Sequence, residues 1–156
     1  MGRMYTAQFN EVAVTAQQDF FELNAPADAV VVIHEVHLSQ NTEVADAQEE
    51  HLLVLFKEGA TTSGSGGTTP TAVPRSKGDA AFGGTVEANN TTKATAGTIV
   101  THEPHNWNVR APFDRIFTPE TRIELSPSGR FTVELAKTPA DSVTISGFIV
   151  FEELGG

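Results

Sequence analysis

Residues 58 to 97, EGATTSGSGGTTPTAVPRSKGDAAFGGTVEANNTTKATAG, consist mostly of Thr, Gly, Ser and Ala and stand between two segments of β character. A tract so poor in large apolar side chains has nothing from which to build a core of its own. Phe82 and Val86 are nearly its only anchors. Connections longer than about 12 to 15 residues without regular structure are uncommon in compact domains, and are usually functional or disordered where they occur. The chain therefore reads as a β scaffold carrying one long polar appendage, a surface arm or extended loop whose order is expected to depend on its neighbours. Such a layout points to binding or assembly more than to catalysis.

Outside the tract, period-two alternation recurs and the helical period is nearly absent. Tyr5 to Val14 and Asp19 to Leu23 read as strands around a polar turn. Ala29 to Ser39 is the most β-branched segment. Strict alternation puts its Val30, Val32, His34, Val36 and Leu38 on one face and Val31, Ile33, Glu35 and His37 on the other. Asn41 to Glu50 is acidic, lacks an apolar stripe and reads as a loop. Glu50 to Lys57 is a strand, expected beside 29 to 39. Thr98 to Glu103 and Asn106 to Arg110 resume the pattern on either side of a break at Pro104. Ser126-Pro127-Ser128-Gly129 is a strong turn signal. It precedes Arg130 to Ala136, where Phe131, Val133 and Leu135 are expected inward and Arg130, Thr132 and Glu134 towards water. Ser142 to Glu152 closes the chain as a strand inside a sheet. Roughly eight to ten strands between turn clusters define an all-β class, an antiparallel sandwich of jelly-roll or Greek-key type. It is read as one domain over 1–156, with 58–97 as an extended loop or arm inserted between strands.

Bulk properties exclude several functions. At 156 residues the chain can bury one sizeable core without a metal or a disulfide, and it has no cysteine from which to make one. A formal net charge of −10 repels a phosphate backbone, which argues against direct nucleic-acid binding. No apolar run approaches the roughly 20 residues that span a bilayer. The opening MGRMYTAQFNEV lacks the apolar stretch of a secretory signal, so synthesis in a cytoplasm is expected.

The residue types that carry chemistry are scattered. His34 and His37, three apart on a strand, are expected on opposite faces, with His34 a hydrogen-bonded imidazole among valines. His102 and His105, flanking Glu103, are the best metal candidate, but no third and fourth ligand follows at recognisable spacing. Glu49 with Glu50, and Glu152 with Glu153, diverge in an extended chain and read as solvated. Gly64-Ser65-Gly66 lacks the strand and helix of a nucleophile elbow, and the glycines at 64 to 67 and 83 to 84 lack the Lys and helix of a phosphate loop. No catalytic residue, metal or cofactor is expected. Trp107, with polar neighbours, fits an interface anchor as well as a core edge. Arg110, Arg115 and Arg122 near Phe113 and Phe117 suit a subunit contact.

The segments YTAQFNEVAVTAQQDFFELNAPADAVVVIHEVHLSQ, GSGGTTPT and LSPSGRFTVELAKTPADSVTISGFIVFEEL resemble small β proteins encoded among the structural genes of tailed bacteriophages. The resemblance covers most of the chain and lies in style and layout. Proteins of that kind include capsid decoration, or cement, proteins, which form trimers on the outside of an expanded head and lock neighbouring capsomers together. The resemblance implies a homotrimer on the outer capsid surface of a virion, with the major capsid protein as partner and no enzymatic activity. Phe82, Val86, Trp107, Arg110, Phe113, Arg115 and Phe117 are then the candidates for subunit and capsid contacts. Two other readings stand beside it. One is a virion fibre, tail or baseplate module that recognises a host-surface glycan; the other is a cupin-like metalloenzyme using His102, Glu103 and His105.

Overall fold

The computed structural model describes residues 2–41 and 50–155. The loop expected over 41–50 lies outside the described residues except at its ends. The strands are β1 (Arg3–Val14), β2 (Gln18–Asn24), β3 (Ala29–Gln40), β4 (His51–Thr62), β5 (Val73–Pro74), β6 (Thr85–Asn90), β7 (Thr95–Asn108), β8 (Phe113–Ile116), β9 (Ile123–Leu125), β10 (Arg130–Leu135) and β11 (Val143–Gly155). They form two antiparallel sheets packed face to face, an all-β sandwich. The first has the order β5-β1-β11-β3-β8, with β9 pairing β3 beyond β8; the second has the order β6-β2-β10-β4-β7.

Apolar alternation builds the core. Tyr5, Ala7, Phe9, Val31, Ile33, Val36, Leu38, Ile145, Ile149 and Phe151 line the inner face of the first sheet, opposite Phe21, Leu23, Leu52, Val54, Phe56, Phe131, Val133 and Leu135 of the second. β11 lies between β1 and β3, as expected of a long apolar closing strand. The strand at 50–57 is not beside 29–39: β4 pairs β10 and β7 in the opposite sheet. The break expected at Pro104 is absent too. β7 runs continuously with Pro104 opposite Leu55, and it lies at the edge of its sheet, where a missing N–H is tolerated.

One irregularity changes the reading of β3. Its register with β11 shifts between Val150 and Phe151, so that Ile33 opposes Phe151 while Glu35 opposes Val150. His34 is the extra residue of a bulge, which resets the alternation: Val31, Ile33, Val36 and Leu38 point inward. His34 and His37 therefore do not face opposite sides. Each meets a carboxylate on the outer face, His34 Nε2 at 3.1 Å from Glu152 and His37 Nδ1 at 2.9 Å from Asp114.

The tract at 58–97 is laid down on the sandwich instead of extending from it. Its first residues complete β4, Val73 and Pro74 pair with Thr6 and Tyr5 at the edge of the first sheet, and Thr85–Asn90 pairs with β2 at the edge of the second. Between these, Ser65 bridges Thr92 and Thr68 bridges Ala88. Phe82 and Val86 do anchor it. Val86 enters the core, and the Phe82 ring lies 4.8 Å from that of Phe151 and 5.4 Å from that of Tyr5. Two glycines permit the close approach: a Cβ on Gly64 would collide with the Thr92 carbonyl, and one on Gly67 with that of Ala88. A variant with 63–94 replaced by a short Gly-Ser linker loses the core side chains of β6, and is expected to be destabilised by more than about 3 kcal/mol or to unfold. Urea denaturation followed by tryptophan fluorescence checks this.

Candidate functional site

Polar chemistry concentrates on the outer face of the second sheet. By alternation Glu22, Thr132 and Glu134 point away from the core, yet all three are buried, as is Asp19. The covering comes from the tract. Ser63 donates its hydroxyl to Glu22 Oε1 at 2.7 Å, Gly64 N–H donates to Glu22 Oε2 at 2.9 Å, and Asn90 Nδ2 donates to the same oxygen at 3.0 Å. Arg130 Nε lies 2.9 Å from Glu22 Oε1 and balances its charge. Asn90 also links Glu22 to Glu87, at 2.7 Å, and receives the Gly67 N–H on its Oδ1.

A second knot lies one step along the strands. Glu134 holds Lys57 through one oxygen and Lys93 through the other, the latter at 2.8 Å. Burial pushes the Glu134 carboxyl up, but the hydrogen bonds and charges of Lys57 and Lys93 outweigh it and hold the group below its ordinary range. Asp19 is the exception among these acids. Among the described residues its donor is the Ala94 N–H, 2.7 Å from Oδ2, and burial, helped by the charges of Glu134 and Glu22, raises its pKa to about 7.

Between residues 64–69 and β6, both within the tract, lies a shallow polar cavity of about 160 Å³, lined by Gly64 to Thr69 with Glu87 and Asn90. The N–H groups of Gly64, Ser65, Gly67 and Thr68 are all engaged within the protein, so the cavity offers hydroxyls and a carboxylate rather than an anion cradle.

The residues proposed from the sequence as contact points are distributed differently. Val86, Trp107, Phe113 and Phe117 are core side chains, and a side chain enclosed within its own sandwich has no surface to give a partner. Trp107 satisfies its polar end inside the fold, donating Nε1–H to the Ala111 carbonyl at 2.6 Å, so its polar neighbours did not signal exposure. Arg115 lies 4.4 Å above the Phe117 ring and grips Glu103 through Nε and Nη2 at 2.8 and 2.7 Å, an internal clamp. That clamp holds the Glu103 carboxyl below its ordinary range, against a smaller opposing effect of burial. Arg110 alone of these side chains stands exposed, just beyond β7. The histidine pair separates: His105 bonds Glu103 at 2.8 Å while His102 turns to Glu58 at 3.0 Å. Among the described residues no three His, Cys, Asp or Glu groups converge on a metal position, and no helix is long and apolar enough to cross a membrane.

The buried acids were missed because their strands alternate as though the outer face were wet. The available signal was opposite charge at outward positions, Glu22 on one strand, Lys57 on another, Arg130 and Glu134 on a third, in a chain that also carries an unplaced polar tract. Compared with protein-family models, curated proteins and solved structures, the chain matches none.

Glu22→Ala leaves Arg130 without its counter-charge beneath the tract and is expected to cost about 3–5 kcal/mol, measured by chemical denaturation. The depressed acids Glu134 and Glu103 contribute stability that is complete above the ordinary carboxylate range and is lost as pH falls through their lowered pKa values. The acid limb of a thermal-melting profile is therefore expected to flatten in Glu134→Gln and Glu103→Gln, with a lower plateau near neutrality.

Proposed function

We propose that the chain is a structural virion protein that binds the outer surface of a phage capsid as a trimer and stabilises neighbouring capsid subunits. The observation that carries this reading is the strand order. With the inserted β5 and β6 set aside, the orders are β1-β11-β3-β8 and β2-β10-β4-β7, the chain passing repeatedly from one sheet to the other. We read this as the path of a jelly roll, an architecture that recurs in viral capsid and lectin domains and in cupins. The inference is a fold-level analogy. The phage-like style of the sequence narrows it to the virion.

Electrostatics supports the same reading. The buried acids are held by partners of the same chain, which makes a rigid body, and a net charge of −10 suits a position outside the shell and away from packaged nucleic acid. With the aromatic candidates inside the core, the contacts fall to the exposed apolar side chains Val73, Ile99, Val100 and Ile116. The β7 edge contributes two of these from an uncharged stretch, Thr95 to Thr101.

Light scattering with a co-sedimentation assay on expanded capsids tests the proposal. A trimer that co-sediments, with binding reduced at least tenfold in Val100→Asp or Ile116→Asp while the melting temperature is kept, is the expected result. A monomer that stays in the supernatant contradicts it. Binding on a glycan array in its place would favour the fibre, tail or baseplate reading, to which the polar cavity beside Glu87 is suited.

A further inference from the structure

The outer face of the second sheet holds a charge imbalance with a mechanical consequence, independent of where the protein works. Asp19, Glu22, Glu87 and Glu134 face Lys57, Lys93 and Arg130, so four carboxyl groups share three cations. Glu22 has Arg130, and Glu134 has both lysines. Glu87, at the rim, accepts from Asn90 at 2.7 Å and competes with Glu22 for the one Ser63 hydroxyl proton. Among the described residues Asp19 is left with a backbone N–H, and it is the most deeply buried of the four. Arg130 is taken by Glu22 and both lysines by Glu134, so an ionised Asp19 is a buried charge with one backbone donor and no cation paired to it among the described residues.

The lid of that space is the short crossing from Thr91 to Ala94, which leads from β6 into β7. It is attached at few points. Thr92 exchanges two backbone hydrogen bonds with Ser65, Lys93 Nζ reaches Glu134 at 2.8 Å and Gln17 at 3.0 Å, and Ala94 N–H reaches Asp19. These contacts are polar, and releasing them opens Asp19 to water.

We propose that Asp19 is a proton-operated latch: the crossing at 91–94 stays shut over the β2 and β10 strands while the Asp19 carboxyl is protonated, and opens when that carboxyl ionises. The groups facing Asp19 are Glu22 on its own strand, Glu134 on β10 and Lys93 on the crossing; the two acids oppose ionisation and the lysine favours it. The direction follows from linkage. A carboxyl that binds its proton more tightly when enclosed drives opening as pH rises above the range of a free carboxylate, and its preference for the open state is complete above about 7.

Hydrogen exchange between pH 5 and pH 8, corrected for the intrinsic rate, tests the latch. In the intact chain the opening of Thr92 and Ala94 is expected to rise roughly 10- to 100-fold, and to stay far more frequent than the opening of amides in the middle of β11. In Asp19→Asn, which keeps an acceptor for Ala94 but cannot ionise, the rise is expected to vanish. An equal rise in the variant, or no difference between the crossing and β11, overturns the proposal. A second measurement does not depend on the variant folding: a carboxyl carbon NMR titration of the unaltered protein is expected to place Asp19 near neutrality, and a midpoint near 4 overturns the latch as well.

Discussion

The structure depends on the burial of a charged sheet face beneath a polar tract. A sandwich of this kind is stable when each sheet hides one apolar face, and the other face ordinarily belongs to solvent. Here the outer face of the β6-β2-β10-β4-β7 sheet carries Glu22, Glu134 and Asp19, and residues 58–97 cover them. A carboxylate out of water is tolerated only where hydrogen bonds and opposite charges replace its hydration. The tract supplies N–H and hydroxyl donors from Ser63, Gly64, Asn90 and Ala94 and one of the cations, Lys93. Its small residues are what permit the contact, since glycine and serine bring backbone donors within reach of a sheet surface where larger side chains would hold them away.

This arrangement also explains how the tract is ordered without a core of its own. The tract takes its order from surfaces built by others: the β1 edge for Val73 and Pro74, the β2 edge for β6, and the Tyr5 and Phe151 rings for Phe82. Tyr5 closes that side with its hydroxyl, whose single proton lies within reach of the Ala80 carbonyl at 2.9 Å and of Glu153 Oε2 at 3.1 Å. Burial, followed by the Glu153 carboxylate, raises the pKa of the phenol, which stays a donor across the physiological range.

The β class and the inward sets of β4, β10 and β11 were legible because their apolar residues recur at period two without interruption. Three features were not. The bulge at His34 left no mark in the apolar pattern of 29–39, because valine and isoleucine occupy either face equally well. The neighbours of β4 depend on long-range pairing, which alternation does not encode. The third is the cover over Thr132 and Glu134. Their alternation described the strand correctly, and the error lay in taking the outward side to be water. The burial of the aromatic contact candidates was hidden for a related reason: Trp107 and Phe113 stand among polar residues in sequence, yet those neighbours point the other way along an edge strand or turn. Of the proposed surface only Arg110 stands exposed, and the exposed apolar side chains Ile99, Val100 and Ile116 carried no distinguishing signal.

The central claim is that residues 58–97 are an ordered part of the sandwich, held by the charges they bury. The steady-state heteronuclear NOE of the backbone amides of the isolated protein tests it most directly, because it reports order on the picosecond-to-nanosecond timescale residue by residue. Values at Gly64, Gly67 and Val86 close to those of β11 are predicted. Values near zero or negative across 63–94, beside a rigid β11, would show a free arm and contradict the account.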